Sequence, residues 1–230
     1  MAKAHRADLP FEVYYEDPHL LVLSKPSGLL SQGEKTGDVN LVDLLRQYLG
    51  RPYVGLVHRL DRNTSGLMVV AKRTKSAQRL TSALQNGELR RTYLAWLVGK
   101  LLKPQTWRHE LKKNEKTNQV SVVRQGGKGA SLWVQPRGYA QLKRTTLTLA
   151  EFELQTGRSH QIRVQAAYEG FPVLGDTKYG RSPQMTPLEV REVPPFLRLA
   201  LHSHRLEFPH PISKEVLKFE SPLPPELQLA

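Results

Sequence analysis

The chain has 230 residues, 39% hydrophobic and 24% charged, a composition typical of one folded domain. It carries 34 Lys and Arg against 21 Asp and Glu, and this net charge of +13 favours a polyanionic partner, nucleic acid before an anionic membrane. The absence of cysteine excludes disulfides, zinc–thiolate sites and thiol nucleophiles, and without a signal peptide or a membrane-length apolar run we expect a cytoplasmic protein with no membrane partner.

Apolar patterns and turn signals predict two helices in the N-terminal half. Asn40 can cap the first helix, whose apolar residues recur at helical spacing until Gly50 stops it. Thr74 can cap the second helix, which is expected to end at Asn86 and Gly87. Short apolar runs between turns predict strands at residues 20–23, 54–57, 67–71 and 92–98.

The C-terminal half is predicted to contain an irregular basic region followed by strands and one helix. We interpret residues 103–144 as loops and short strands rather than a separate domain, because their apolar content is too thin for a second core. Strands are expected at residues 146–154 and 198–208, and Ser159 can cap a helix between them that ends at Gly170. This order predicts an α+β fold with a mixed, mostly antiparallel sheet flanked by short helices and loops.

Several common catalytic motifs are missing from the sequence. It contains no GxxxxGK[ST], no GxGxxG after a strand and no GxSxG, which argues against nucleotide hydrolysis, dinucleotide redox chemistry and α/β-hydrolase chemistry. Among eight histidines only His202 and His204 have ligand-like spacing, and without HExxH or a nearby acidic residue we expect no metal there. In a strand these two side chains would share one face, with a surface or RNA-facing role.

The segment HRLDRNTSG, residues 58–66, places a carboxylate just before a turn. Aspartate is a common turn residue, so Asp61 could serve only to start that turn. Apolar neighbours at Val57, Leu60 and Leu67 would, however, hold its carboxylate partly out of water at a strand end. A carboxylate kept ionised by an arginine can act as a nucleophile or a base, so a catalytic role is the alternative.

Three arginines could accompany Asp61. Arg59 would point to the same face of an extended strand, whereas Arg158 lies in the tight turn of TGRSHQIR and would be a better clamp from elsewhere in the chain. Arg163 lies on the helix that follows, where it could equally belong to a solvated basic face.

Five segments resemble the RluA family of pseudouridine synthases, and they occur in that family's order over roughly residues 13–225. HRLDRNTSG resembles the HRLDxxTSG signature, and YEDPHLLVLSKPSGLL resembles the opening segment of the family. RRTYLAWLVG, LQTGRSHQIRVQAAYEGFPVLGDTKYG and LALHSHRLEF resemble three later segments. Gln165 and Phe171 depart from the family pattern, which has histidine there in many members. Few residues precede the first segment, so the chain resembles the short members without an S4 RNA-binding domain.

The resemblance implies a pseudouridine synthase fold and conversion of uridine to pseudouridine within RNA, with no cofactor and no metal. The base would leave C1′, rotate and rejoin through C5. Asp61 aligns with the aspartate that starts the reaction at the ribose or the base, and Arg158 aligns with its basic partner. Tyr93 aligns with the tyrosine that stacks on the target base, although it could also be an ordinary core residue. Arg59 aligns with the residue that fills the RNA stack once the uridine has left it.

The implied partner is RNA, either rRNA or tRNA, and we expect the protein to be a monomer. The expected RNA-binding side chains are His58, Arg59, Arg62, Thr64, Arg163 and Lys178. Residues 11–225 are expected to form one catalytic domain, between an N-terminal tail at 1–10 and a C-terminal tail at 226–230. The alternative function is a non-catalytic RNA-binding or ribosome-assembly protein on the same fold, which would need none of the three catalytic residues.

Overall fold

The computed structural model describes residues 9–33, 37–180, 196 and 198–229, and it confirms the predicted α+β class. The strands are β1 (Glu12–Glu16), β2 (Leu20–Lys25), β3 (Gly55–Leu56), β4 (Ser65–Ala71), β5 (Arg90–Val98), β6 (Gln105–Asn114), β7 (Gln119–Val123), β8 (Lys128–Leu142), β9 (Thr145–Leu154), β10 (Leu201–Pro209) and β11 (Val216–Glu220). The helices are α1 (Leu41–Leu49), α2 (Thr74–Gln85), α3 (Gln161–Tyr168) and a 3-10 helix, Pro225–Leu227. Within the described residues, no helix is long and apolar enough to cross a membrane.

The chain divides into two compact units. The first unit comprises Met1–Arg91 and Ser203–Pro222, and the second comprises Thr92–His202 and Leu223–Ala230. Each unit carries part of the predicted site, and each is built on antiparallel strands.

In the first unit, β2 is the strand that brings two loops to one sheet edge. It pairs antiparallel with β4, from Leu20 opposite Ala71 to Lys25 opposite Gly66. The end of β2 therefore lies beside the start of β4, and the loop after Lys25 faces the loop that carries HRLDRN. All seven residues of β4 are buried, and α2 packs against this strand, so the edge is fixed by a core on both faces.

The backbone conformation of Gly66 explains why the TSG sequence ends in a glycine. Its φ of 109° lies in a region that only glycine adopts readily, and a Cβ there would clash with the backbone of Ser203. The start of β4 can therefore approach β10 closely only because residue 66 has no side chain.

The two N-terminal helices were predicted correctly, with one wrong cap. Asn40 caps α1 by accepting the backbone N–H of Asp43, and Gly50 ends it in a left-handed conformation. Thr74, in contrast, is the first residue of α2, and Arg73 occupies the cap position without a capping hydrogen bond from its side chain. A threonine caps a helix only from the cap position, where the backbone is extended. In α2 the residue with the extended backbone is Arg73, and Thr74 is already helical.

In the second unit, the prediction of loops and short strands for residues 103–144 is wrong. The strand order is β5-β9-β8-β6-β7, and β8 alone has 15 residues. The apolar residues are few, but they alternate: Trp107 and Leu111 on β6 and Leu132 on β8 all point to the buried face, while their neighbours are exposed or half-buried. A strand needs apolar residues only at every second position, so low apolar content does not predict a loop.

The start of α3 also differs from the prediction. Ser159 does not cap it; the cap position is His160, which has a left-handed φ of 53° and no capping hydrogen bond from its side chain. The helix packs against β6 and β7, and Glu169 occupies its C-terminal cap position, one residue before Gly170.

Packing of the second unit continues past residue 225. Leu227 in the 3-10 helix is fully buried, and Trp96 Nε1 donates to its carbonyl over 2.7 Å. Residues 1–8 of the predicted N-terminal tail and residue 230 lie outside the described residues. The single catalytic domain stays a prediction.

Candidate active site

Asp61 begins a tight turn in the first unit. Its backbone carbonyl accepts the N–H of Thr64 over 3.0 Å, and Arg62 and Asn63 form the centre of the turn. The Asp61 side chain is half-buried, and the preceding Leu60 is buried. The turn interpretation and the catalytic one are therefore compatible, because the turn bond uses the backbone carbonyl of Asp61 and not its carboxylate.

A buried lysine fixes the backbone directly after Asp61. Lys25 is fully buried at the end of β2, and its ammonium donates to the carbonyls of Pro26, Leu29 and Arg62 over 2.8, 2.7 and 3.1 Å. The Arg62 carbonyl also accepts the N–H of Gly28 over 2.8 Å. Charge-assisted bonds of this kind are stronger than neutral ones, so they hold the loop after β2 against the Asp61 turn.

Two serines of the same loop fix the turn at other points. Ser31 Oγ donates to the carbonyl of Leu60 over 2.6 Å and accepts the Leu60 N–H over 3.2 Å. Ser27 Oγ donates to the carbonyl of Asn63 over 2.8 Å. Sequence reasoning missed Lys25 and both serines, although a lysine ending an apolar strand next to a Pro-Ser-Gly turn was a usable signal.

His58 contacts the backbone of β4, and its role in RNA binding stays a prediction. It is buried, and its Nε2 accepts the backbone N–H of Val69 in β4 over 3.1 Å. Burial, together with the nearby positive charge of Arg91, lowers the pKa of His58 from 6.5 to about 3. The imidazole is therefore neutral near pH 7, with its proton on Nδ1.

The remaining predicted side chains of this motif differ in exposure. Thr64 is buried like His58, and its role in RNA binding stays a prediction. Arg59 and Arg62 are exposed, and Arg62 pairs with Asp38 over 2.8 Å while its Nε donates to the Gly28 carbonyl over 3.1 Å. Of this motif, Arg59 and Arg62 are therefore the exposed cations.

In the second unit, Arg158 is presented by a turn, as predicted. It is exposed, its backbone N–H donates to Gln161 Oε1 over 2.9 Å, and its Nε donates to the Gly129 carbonyl over 2.9 Å. Gln161 also accepts from Thr156 Oγ1 and donates to the Ser131 carbonyl, over 2.8 and 3.1 Å. The first residue of α3 thus ties the Arg158 turn to the start of β8.

Tyr93 lies on β5, opposite Phe152 of β9, and is buried. Burial is compatible with both interpretations, an ordinary core residue and a ring that stacks on the target base. Asp61 belongs to the first unit, and Tyr93 and Arg158 belong to the second. The expected ion pair between Arg158 and Asp61 stays a prediction.

Arg163 does not lie on a solvated basic face, which corrects that alternative, and its role in RNA binding stays a prediction. It is buried and forms a bidentate pair with Asp176, with Nε–Oδ2 and Nη2–Oδ1 distances of 2.7 and 2.8 Å. Its guanidinium also lies 5.0 Å from the ring centroid of Tyr179. Lys178 is exposed, but its ammonium donates to the Asn118 carbonyl over 2.6 Å.

His202 and His204 are buried, which corrects the expected surface or RNA-facing position. His204 Nδ1 lies 2.7 Å from the Ser221 carbonyl oxygen. Over the described ranges, no group of three or more His, Cys, Asp and Glu is arranged to hold a metal ion.

Residues 19–168 match the family model described as RNA pseudouridylate synthase. A ribosomal large subunit pseudouridine synthase D of Xanthomonas campestris is 36% identical, over 96% of this chain and 68% of the relative. The protein of that name in Nitrosomonas europaea is 36% identical, over 98% of this chain and 66% of the relative. The uncharacterized RNA pseudouridine synthase YlyB of Bacillus subtilis is 35% identical, over 95% of this chain and 71% of the relative.

Two solved structures share the fold. Human RNA pseudouridylate synthase domain containing 1 matches with a TM-score of 0.76 and 22% identity, over 99% of this chain and 89% of its own. Human RNA pseudouridylate synthase domain containing 4 matches with a TM-score of 0.71 and 22% identity, over 94% of this chain and 90% of its own. These likenesses confirm the predicted fold.

Proposed function

Because this chain belongs to the RNA pseudouridylate synthase family, it is a pseudouridine synthase, and we propose that its substrate is large-subunit ribosomal RNA. Relatives named for the ribosomal large subunit, at 34–36% identity, support this target. Two Bacillus subtilis relatives at 34 and 35% identity carry no target in their names, so identity alone does not separate rRNA from tRNA. We propose action in the cytoplasm and as a monomer.

Asp61 is proposed to start the reaction. During isomerisation the N1–C1′ bond breaks, the C5–C1′ bond forms, the C5 proton leaves and N1 is protonated, so atoms balance without a cofactor or a metal. The observation that carries this role is the rigid backbone around Asp61, bonded through Leu60 on one side and Arg62 on the other. A carboxylate that must meet one ribose or base atom needs such fixed geometry.

Three further residues are proposed to handle the flipped uridine. Taking a base out of structured RNA costs a few kcal/mol. Stacking on the Tyr93 ring would recover ~1–3 kcal/mol of this. The planar guanidinium of exposed Arg59 would fill the vacated place in the RNA stack. Arg158 is proposed to pair with the Asp61 carboxylate and keep it ionised.

RNA binding is proposed to rest on exposed cations. Of the six side chains predicted for it, Arg59, Arg62 and Lys178 are exposed and are retained, whereas His58, Thr64 and Arg163 are buried. The net charge of +13 adds attraction that does not depend on sequence, so affinity should fall steeply as salt rises. The non-catalytic alternative would leave the fixed Asp61 turn without a use.

The test compares two aspartate variants. Large-subunit rRNA and tRNA from a strain lacking the protein are incubated with wild-type, Asp61→Asn or Asp38→Asn protein, and pseudouridines are mapped chemically. We expect one or more rRNA sites with wild type, none with Asp61→Asn, and near wild-type product with Asp38→Asn, whose carboxylate pairs with Arg62. Product only in tRNA would overturn the target, and full activity of Asp61→Asn would overturn the mechanism.

A further inference from the structure

The basic region of the second unit extends over residues 100–144. It carries eleven Lys and Arg but only two carboxylates, Glu110 and Glu115. All eleven cations are exposed, and the RNA-binding side chains predicted from the motifs lie outside this region. A surface so rich in cations and so poor in carboxylates attracts a polyanion.

Four of these cations come together at the end of the sheet where β5 ends and β9 begins. The turn between β8 and β9 consists of Lys143 and Arg144. The loop between β5 and β6 carries Lys100 and Lys103, and the N–H of Gly99 at its start donates to a carbonyl of β9 over 2.9 Å. Within the described residues, none of the four cations forms an ion pair with a carboxylate.

An exposed tyrosine ring lies among these cations. Tyr139 on β8 is 48% exposed, and its hydroxyl donates to the Leu101 carbonyl over 2.8 Å. The Leu101 N–H donates to Thr148 Oγ1 over 3.0 Å, and Thr148 lies opposite Tyr139 in the sheet. Lys100 Nζ lies 5.6 Å from the ring centroid, and Leu102, next along the loop, is 74% exposed. The ring is therefore held in place while much of its surface stays open.

The turn between β8 and β9 holds a lysine in a conformation that suits glycine or asparagine. Lys143 has a φ of 56°, in the left-handed region. Two-residue hairpin turns favour Asn-Gly because those residues adopt this region at low cost. Here both turn residues are cations, so positive charge is kept at a conformational cost that glycine would avoid. Backbone strain of this kind indicates function rather than stability.

We propose that an unpaired nucleotide of the substrate RNA binds to the Tyr139 surface, which consists of Lys100, Leu102, Lys103, Tyr139, Lys143 and Arg144. The inference rests on the proposed function in that the substrate is RNA. Proteins hold single-stranded RNA by stacking a base on an aromatic ring and placing its phosphates on nearby cations. Lys100 has a flexible stem, so its ammonium can move from the ring to a phosphate when a base takes its place.

The register of the sheet gives the distance from Tyr139 to the ring proposed to receive the target base. Tyr93 and Leu97 point to the same face of β5, about 13 Å apart. Leu97 lies opposite Thr148, and Thr148 lies opposite Tyr139, so Tyr93 and Tyr139 share one face of the sheet. Two strand spacings add about 10 Å across the sheet, which makes the separation about 16 Å. A stacked strand covers this in about five nucleotides at ~3.4 Å each, so the bound nucleotide should lie within about five positions of the target uridine.

The first experiment uses a single-stranded probe that the enzyme cannot modify. A fluorescent decamer of adenosine and cytidine, alone or paired with its DNA complement, is titrated with wild-type, Tyr139→Leu and Tyr139→Phe proteins. Tyr139→Leu should lower the affinity for the single strand about tenfold and that for the duplex less than twofold, because the bases of a duplex are already stacked. Tyr139→Phe keeps the ring and should stay within about twofold of wild type for both probes.

The variants separate stacking from a structural role. Both Tyr139 variants lose the hydroxyl bond to Leu101, so an effect of that bond appears in both, and only loss of the ring distinguishes them. Tyr168→Leu is the aromatic control, since Tyr168 is 44% exposed in the same unit and should leave both affinities unchanged.

The cations are tested through the salt dependence of binding to the single strand. Lys100→Gln combined with Lys103→Gln should shrink the slope of log K against log salt by about 1.4, because each phosphate contact on a single strand contributes ~0.7. The control combines Lys113→Gln with Lys218→Gln, which removes the same charge from two lysines that already pair with carboxylates. This control should change the slope less than half as much.

The outcomes distinguish this inference from the proposed function. On an unmodified rRNA transcript, Tyr139→Leu should raise KM with little change in kcat, because the stacking is remote from the reacting atoms. Equal losses for single strand and duplex, or for the Leu and Phe variants, would overturn the nucleotide site and leave the enzyme assignment intact. Unchanged RNA binding together with lost binding to phosphatidylglycerol vesicles would make the surface a membrane contact instead. If wild type modifies no rRNA but the decamer results hold, the proposed target is wrong and the RNA-binding surface remains.

Discussion

Replacing Lys25 with Met should loosen the Asp61 turn while leaving the chain folded. The substitution keeps the apolar stem but removes the ammonium that donates to three carbonyls. The Arg62 carbonyl would keep the Gly28 N–H, whereas those of Pro26 and Leu29 would lose this donor. Two unsatisfied acceptors cost ~1–3 kcal/mol each, and relief from desolvating the ammonium offsets part of this, so we expect a net loss of about 2–4 kcal/mol.

This loss can be measured as a thermal shift and as a rate. For a chain of this size the unfolding midpoint should fall by about 8 °C. A typical stability of ~5–15 kcal/mol keeps the variant folded at 25 °C, so its kcat reports the position of the carboxylate. We expect kcat to fall about 10–100-fold with little change in RNA affinity, because a small displacement of a reacting group is enough.

The control is Lys178→Met, which removes an exposed ammonium that donates to one carbonyl, that of Asn118. Its midpoint should change by about 1 °C or less, since bonds to exposed charges contribute little. An unchanged midpoint for Lys25→Met would refute the stability reasoning. A lowered midpoint with unchanged kcat would show that the Asp61 turn keeps its place without the lysine.

The other predictions concern two buried motif residues, Arg163 and His58. Arg163→Gln should destabilise the protein by about 3–5 kcal/mol in chemical denaturation, because it leaves the Asp176 carboxylate buried without its partner. If Arg163→Gln instead changed the salt dependence of RNA binding without lowering the free energy of unfolding, Arg163 would be an RNA-binding residue. The pKa of His58 is about 3 when folded and 6.5 when unfolded, so its contribution is complete above pH 6.5 and is lost as pH falls towards 3. We expect the free energy of unfolding to drop by about 2–3 kcal/mol more between pH 7 and 4.5 in wild type than in His58→Gln. Equal pH dependence of the two proteins would contradict a neutral buried imidazole.

Local sequence rules predicted those parts of the fold that depend on neighbouring residues. Asn40 and Gly50 bound α1 because a cap and a left-handed glycine act within one helical turn. The same rules failed at Ser159, where His160 takes a left-handed conformation and its Nδ1 lies 2.7 Å from the Tyr179 hydroxyl oxygen, 19 residues away. A contact with so distant a residue is not visible in local sequence.

The candidate site shows the same difference between features set by local sequence and features set by distant contacts. The motif containing Asp61 was found from sequence, and so was the turn that presents Arg158. Motif membership did not separate exposed side chains from buried ones, as His58 and Arg163 show. Their partners, Val69 and Asp176, are set by strand pairing and helix packing, and only the folded chain brings them together.

The way the Asp61 turn is held has a consequence for how substrate choice can change. The bonds that Lys25, Ser27 and Ser31 make to residues 60–63 all reach backbone atoms, so they do not depend on which side chains those residues carry. The side chains at positions 59 and 63 are exposed, so they can be exchanged while these backbone bonds stay the same. With the roles proposed for Asp61 and Arg59, the chemistry would be separated from the recognition surface, and selection could retarget such an enzyme to a new RNA without rebuilding its reaction centre.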